Sequence, residues 1–179
     1  ITYTFTGAPT SVNIHYTTNG GTTWTLAGND TTVDGSYAFT LTTSGTYGWI
    51  ASAVGGNSAE LSPPTGGTPP EATPYVFDNV APTIFSTVPA NGATNVAVNQ
   101  NIVIIFSEVM VNSSVFYTIS PNPGGCNESW NAANTILTIT HNDFALSTVY
   151  TLNVIAGTDV AGNALVSGTA PNPWGFMTA

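Results

Sequence analysis

The strongest constraint on this chain is a pattern that starts at its first residue: short runs in which every second residue is apolar, broken by turn formers. Ile1, Tyr3 and Phe5 alternate with Thr, and Val12, Ile14 and Tyr16 repeat the alternation. A period of two puts apolar side chains on one face of an extended strand and hydroxyls on the other. Asn19-Gly20-Gly21 then supplies the positive-φ residues of a tight hairpin, and Asp34-Gly35 and Ser44-Gly45 mark further turns. The chain is therefore expected to be all-β.

Taken in order, Trp24 and Leu26 continue on the strand returning from the first hairpin, and Tyr37, Phe39 and Leu41 form the next run. Tyr47-Gly48-Trp49-Ile50-Ala51 is apolar enough to be a central strand. Residues 62–74 are too rich in Pro and Gly to ladder inside a sheet, and read as an extended surface loop. Tyr75-Val76-Phe77 closes this half. The stretch Asp78-Asn79-Val80-Ala81-Pro82-Thr83 follows, and strand-like runs then resume up to Trp174-Gly175-Phe176. We divide the chain there, into domains 1–79 and 80–179.

The second half carries the more specific signature. Pro89-Ala90-Asn91-Gly92-Ala93-Thr94-Asn95-Val96 precedes Ile102-Val103-Ile104-Ile105-Phe106-Ser107-Glu108. Leu137–Thr140, Tyr150–Val154 and Asp159-Val160-Ala161-Gly162-Asn163 follow, and Trp174–Thr178 closes the segment. This order resembles the bacterial Ig-like domain called Big_5 or SbsA-type, over residues 82–179. The resemblance implies a seven-stranded sandwich used as a spacer or assembly module, without catalysis. The Asp78–Thr83 joint is similar to the links between Ig-like modules of bacterial and archaeal surface proteins. The first half resembles strands B to G of a fibronectin-III or immunoglobulin-like sandwich, with the usual first strand missing. The expected fold is thus two tandem immunoglobulin-like β-sandwiches, the first lacking a strand that upstream residues or a neighbouring subunit in trans would supply. Residues 17–24 also resemble the Asp-box hairpin of sialidases, with Asn19 in place of Asp. A sialidase needs several such hairpins and an arginine cluster, and this chain has no Arg.

Charge narrows the function classes. Nine carboxylates face no Lys or Arg, for a formal net charge of −9. Nucleic acid and anionic membrane surfaces both need a basic patch and are excluded as partners. A carboxylate leaving bulk water must lean on backbone N–H groups, hydroxyls, amides or a cation. No apolar run approaches the about 20 residues that span a membrane, and no signal peptide is present. The abrupt start on Ile1 reads as a processed mature chain or a segment of a longer one. Cys126 stands alone, so no intrachain disulfide forms.

Candidate sites follow from chemistry and from the expected topology. With immunoglobulin topology, Glu108 lies after the second strand and Asp159 before the last, at the pole where Asp78 enters. Three acids converging without a counter-charge suit Ca²⁺, which takes 6–8 oxygen ligands. Asn163, Asn79 or backbone carbonyls would complete the shell. Asp159 capping its own turn is the simpler alternative. Asn29-Asp30-Thr31, Asn112-Ser113-Ser114 and Asn127-Glu128-Ser129 are N-glycosylation sequons expected on loops, and residues 62–74 could carry Thr or Ser sugars. Trp24, Trp130 and Tyr117 are candidates for stacking on sugars. His15 falls on the polar phase of its strand and His141 starts a turn; neither is part of a recognisable catalytic constellation.

The reading that results is a non-enzymatic extracellular structural subunit of a surface filament, S-layer or adhesin stalk, self-associating by β-strand donation. A carbohydrate-binding adhesion module and a spacer from a large secreted hydrolase are the alternatives.

Overall fold

The alternating runs become strands, and every ladder between named strands is antiparallel. The computed structural model describes residues 1–4, 7–55, 64–71 and 74–179. They separate into two units with their own cores, Ile1–Asn79 and Val80–Ala179.

In the first unit, β1 (Ser11–Thr17), β2 (Thr25–Asp30), β3 (Gly45–Val54) and β4 (Tyr75–Phe77) form one sheet in the order β2-β1-β3-β4. The β1–β2 hairpin is pinned by its own polar side chains. Thr17 Oγ1 accepts the Gly21 N–H at 3.0 Å, and Asn19 Oδ1 accepts the Thr23 N–H at 2.9 Å. Gly20 and Gly21 take φ of 68° and 93°, a region that side-chain-bearing residues rarely enter. Gly21 has a second constraint, since a Cβ there would lie 2.0 Å from the Thr68 carbonyl oxygen.

The core face of this sheet carries Val12, Ile14 and Ala51, with Tyr3, Tyr37 and Trp49 packed against them. Tyr16, Phe39, Tyr47 and Trp49 extend it as an aromatic cluster with centroids 5.5–6.2 Å apart. The covering layer is narrower than the sequence suggests. Residues 1–4 make a single bridge, Thr2 to Ser36, flanked by Tyr3 N–H to Gly35 O at 3.0 Å and Tyr37 N–H to Ile1 O at 2.8 Å. The expected strand through Tyr37, Phe39 and Leu41 is in no ladder among the described residues; the nearest pairing is the Thr2–Ser36 bridge. Phe5 and Thr6 of the expected first run lie outside the described residues, as do Ser62, Pro63, Ala72 and Thr73 of the Pro-rich loop.

His15 sits on the polar phase of β1 yet is only 8% exposed, with Nδ1 lacking a hydrogen-bond partner. The Pro-rich loop accounts for part of this: Pro70 lies on that face, 2.4 Å from where a Gly48 Cβ would stand. Period-two alternation says which side a residue takes, not whether that side stays wet.

The second unit has two sheets. β5 (Ile84–Val88), β6 (Ile102–Phe106), β9 (Ile136–Thr140) and β8 (Asn127–Trp130) form one, in the order β5-β6-β9-β8. β11 (Trp174–Met177), β10 (Val149–Ala156) and β7 (Phe116–Ser120) form the other. Ile102, Ile104, Leu137 and Ile139 from the first sheet are fully buried with Leu152 from the second, in one cluster with Trp174 and Phe176. Truncating one such residue to Ala costs about 2–5 kcal/mol, so these alternating runs dominate the unit's stability. Two sheet edges are closed by irregular chain. Residues 91–96 run beside β11 through Val96 N–H to Met177 O (3.1 Å) and Ala179 N–H to Val96 O (2.9 Å). Residues 166–170 do the same for β5 through Val166 N–H to Pro82 O (2.9 Å) and Ala170 N–H to Ile84 O (3.2 Å).

Burial pushes the imidazole of His15 below its usual pKa of 6.5. The stability held by the neutral ring is complete above the unfolded-state value and is lost as pH falls below it. The melting temperature of the first unit, followed on β1 amide resonances, should drop between about pH 7 and pH 5. His15→Leu should flatten that dependence; an unchanged slope in the variant would assign the effect elsewhere.

Candidate functional site

The most organised polar site in the second unit grows out of the turn after β10. Asp159 is 1% exposed, and its Oδ1 accepts the N–H groups of Ala161 and Asn163, both at 2.8 Å. Its Oδ2 accepts Asn163 Nδ2 at 2.8 Å. Gly162, at φ 94°, lets the chain turn back so that these donors point at one carboxylate. Burial alone would raise this carboxyl; the hydrogen bonds from Asn163, Ala161 and Gly162 outweigh it and hold Asp159 below the ordinary carboxylate range.

Glu108 arrives from another element, one residue past Ser107, whose N–H and hydroxyl both bond the backbone of Thr83 (2.9 Å each). This anchoring brings a Glu108 carboxylate oxygen within 4.8 Å of one on Asp159. Asn163 Nδ2 also donates to the Val80 carbonyl at 3.2 Å. Glu108, Asp159 and Asn163 therefore gather at one place in the second unit. In the first unit, Asp78 accepts the Ser44 hydroxyl at 3.2 Å, and Asn79 Nδ2 donates to Thr42 O at 3.1 Å.

The sequons fall in different settings from the loops expected for them. Asn29 is exposed but lies within β2, and its Nδ2 donates to Asn13 Oδ1 at 2.8 Å and Ser11 Oγ at 3.1 Å. Asn112 opens a short 3-10 turn, half-buried, with Nδ2 donating to Asn134 Oδ1 at 3.1 Å. Asn127 is exposed at the start of β8, an outer strand of its sheet. Glycan attachment needs the amide nitrogen, so Asn127 is the best presented of the three.

The aromatics proposed for sugar stacking are engaged in packing. Trp24 Nε1 donates to Thr68 O at 3.3 Å, and Trp130 stacks on Phe106 with centroids 5.7 Å apart. Burial raises the Tyr117 phenol, with Glu128 beside it. Cys126 is exposed, and its thiol is pushed up by desolvation and by Glu128, which disfavours the nucleophilic thiolate.

Sequence reasoning missed Asp30. It is 5% exposed, and Oδ1 accepts the Thr32 hydroxyl at 2.6 Å, the Thr32 N–H at 2.8 Å and the Val33 N–H at 3.3 Å. The Tyr3 hydroxyl donates to Oδ2. Hydrogen bonds from Thr32 and Tyr3 lower this carboxyl to about 2, while burial and Asp30 push the Tyr3 phenol up to about 12. The signal was present as Asp30-Thr31-Thr32, an acid followed two residues later by a donor, but it was hidden inside a sequon.

With this geometry in hand, the comparisons are specific. The family profile of the bacterial Ig-like domain Big_5 matches residues 78–178. No curated protein matches the chain. A solved structure of the LD transpeptidase LdtMt1 in complex with imipenem is similar at 22% identity and a TM-score of 0.38. The similarity covers 55% of this chain and 40% of that one.

Asp159→Asn would set an amide N–H₂ against a donor or strip an acceptor from the turn. It should cost about 1–3 kcal/mol of second-unit stability. Urea unfolding with an unshifted midpoint would refute this role for the carboxylate.

Proposed function

The chain belongs to the bacterial Ig-like domain family, and on that premise we propose that it is a non-enzymatic structural module displayed outside the cell. Domains of this family occur in bacterial surface proteins. The observation that carries the reading is where the carboxylates are used. Asp30 and Asp159, both buried, spend their oxygens on backbone N–H groups and neighbouring side chains, stiffening turns in the way a load-bearing module needs. Self-association through strand edges, one copy lending a strand to another, would join such modules into a surface filament or layer.

Two accessory features belong to the same proposal. Calcium would use Glu108 and Asp159, already close in the second unit, together with Asp78 and Asn163. Support for including Asp78 is that Val80, two residues later, is bonded to Asn163. N-linked glycans, on Asn127 before Asn29 or Asn112, would keep a surface with few charges soluble.

Electron microscopy of the native material tests the main reading: regular fibres or layers are expected, and dispersed particles at high concentration count against self-association. Added Ca²⁺ should raise the melting temperature of the wild-type chain and leave Glu108→Gln unmoved; no response in the wild type removes calcium from the proposal. Deglycosylation should lower the mass of the native material, and an unchanged mass would exclude glycans.

A further inference from the structure

The chain contains Asn-Gly twice, at Asn19-Gly20 and at Asn91-Gly92. In such a pair the Gly nitrogen, unhindered by a side chain, stands next to the Asn side-chain amide carbon and can attack it. The sequence gives the two pairs equal standing, and much of the local structure does too. All four residues are exposed, and both glycines take positive φ, 68° and 78°. A Cβ at either glycine would meet nothing within 4 Å. Access does not separate the two pairs.

The hydrogen bonds do. Gly92 N–H donates to Gly175 O at 2.7 Å, and Asn91 Oδ1 accepts the Gly175 N–H at 3.0 Å. The attacking nitrogen and the amide it would attack are thus both clamped to β11. Gly20 N–H, by contrast, has no acceptor among the described residues. Its target is held in a form that favours attack. Asn19 Oδ1 accepts the Thr17 hydroxyl at 2.8 Å and the Thr23 N–H at 2.9 Å. Two donors on this oxygen draw charge from the amide carbon and stabilise the oxyanion that forms when the carbon is attacked. Nδ2, the group that must leave, lies 2.9 Å from the exposed Thr23 hydroxyl.

We propose that Asn19 is a self-modification site, whose amide is converted to a carboxylate by the Gly20 nitrogen in the folded chain, while the same dipeptide at Asn91 is preserved. The Gly20 nitrogen gives its proton to solvent and bonds to Asn19 Cγ. The Cγ–Nδ2 bond breaks, and Nδ2 leaves as ammonia with a proton from solvent. Water then opens the cyclic imide at one of its two carbonyls, leaving aspartate or isoaspartate. The sum is an amide and water going to a carboxylic acid and ammonia, with no change of oxidation state.

The two products act differently on the hairpin. Aspartate keeps an oxygen for both donors and adds one carboxylate to a chain whose formal charge is already −9. Isoaspartate inserts a methylene into the backbone of the turn, beside Gly21, whose carbonyl accepts the Gly67 N–H at 2.9 Å. The β1–β2 hairpin therefore carries a slow mark of the protein's age, written by its own hydrogen bonds and independent of what the chain assembles with.

The two pairs serve as each other's control. The full chain is held at mildly alkaline pH, both folded and in unfolding urea, and sampled over weeks by mass spectrometry. Chymotrypsin, cutting after Tyr16 and Trp24, frees residues 17–24 from the peptide that carries Asn91. In the folded chain Asn19 should convert no more slowly than in urea, giving both aspartate and isoaspartate. Asn91 should convert at least about tenfold more slowly folded than in urea, because its bonds to Gly175 must open first. Equal rates at the two sites in the folded chain, or protection of Asn19 as strong as that of Asn91, would overturn the assignment. Aspartate as the sole product would overturn the route through Gly20, since direct hydrolysis makes no isoaspartate.

Discussion

Two carboxylates, Asp30 and Asp159, are buried in a chain that has no Lys or Arg to pair with them, and the turns around them depend on how they are satisfied. A buried carboxylate without a counter-ion is costly, and the protein answers with hydrogen-bond donors. At Asp159 the donors are two backbone N–H groups and an amide four residues on; at Asp30 they are Thr32, Val33 and the Tyr3 hydroxyl. Each acid thereby orders a turn that β-sheet geometry alone leaves open. Asp30 also reaches beyond its turn, because its bond from Tyr3 helps hold the N-terminal segment over the core.

The two units share this device and differ in how they finish their layers. In the second, facing sheets interleave Ile102, Ile104, Leu137, Ile139 and Leu152, and irregular chain closes the edges at β5 and β11. In the first, one four-stranded sheet carries its core on the face packed by Tyr3, Tyr37 and Trp49, with residues 1–3 bonded to residues 35–37.

Much of the fold was legible because period-two alternation is a direct imprint of strand geometry. Val12, Ile14 and Tyr16 became β1, Tyr47–Ala51 fell within the central β3, and Ile102–Phe106 became β6. The acids at Glu108 and Asp159 were legible through the resemblance, which set both beside the same pole of a sandwich; their approach to within 4.8 Å follows that topology. The run Tyr37–Leu41 was misread as a laddered strand because alternation reports the phase of a segment, not whether a partner reaches it. His15 lies on the polar face its spacing gave it, but the pattern carried no sign that a loop distant in sequence covers that face.

Sequence alone determined the strand phases, the turn positions at Asn19-Gly20-Gly21 and Asp159–Asn163, the family of residues 78–178, and a net charge of −9 with no Lys or Arg. These are local or additive properties, set by side-chain alternation, permitted φ values and a sum of ionised groups. Tertiary structure decided which carboxylates are buried and which sequon amide is presented. Each depends on what chain remote in sequence packs against a residue, and no local pattern encodes that.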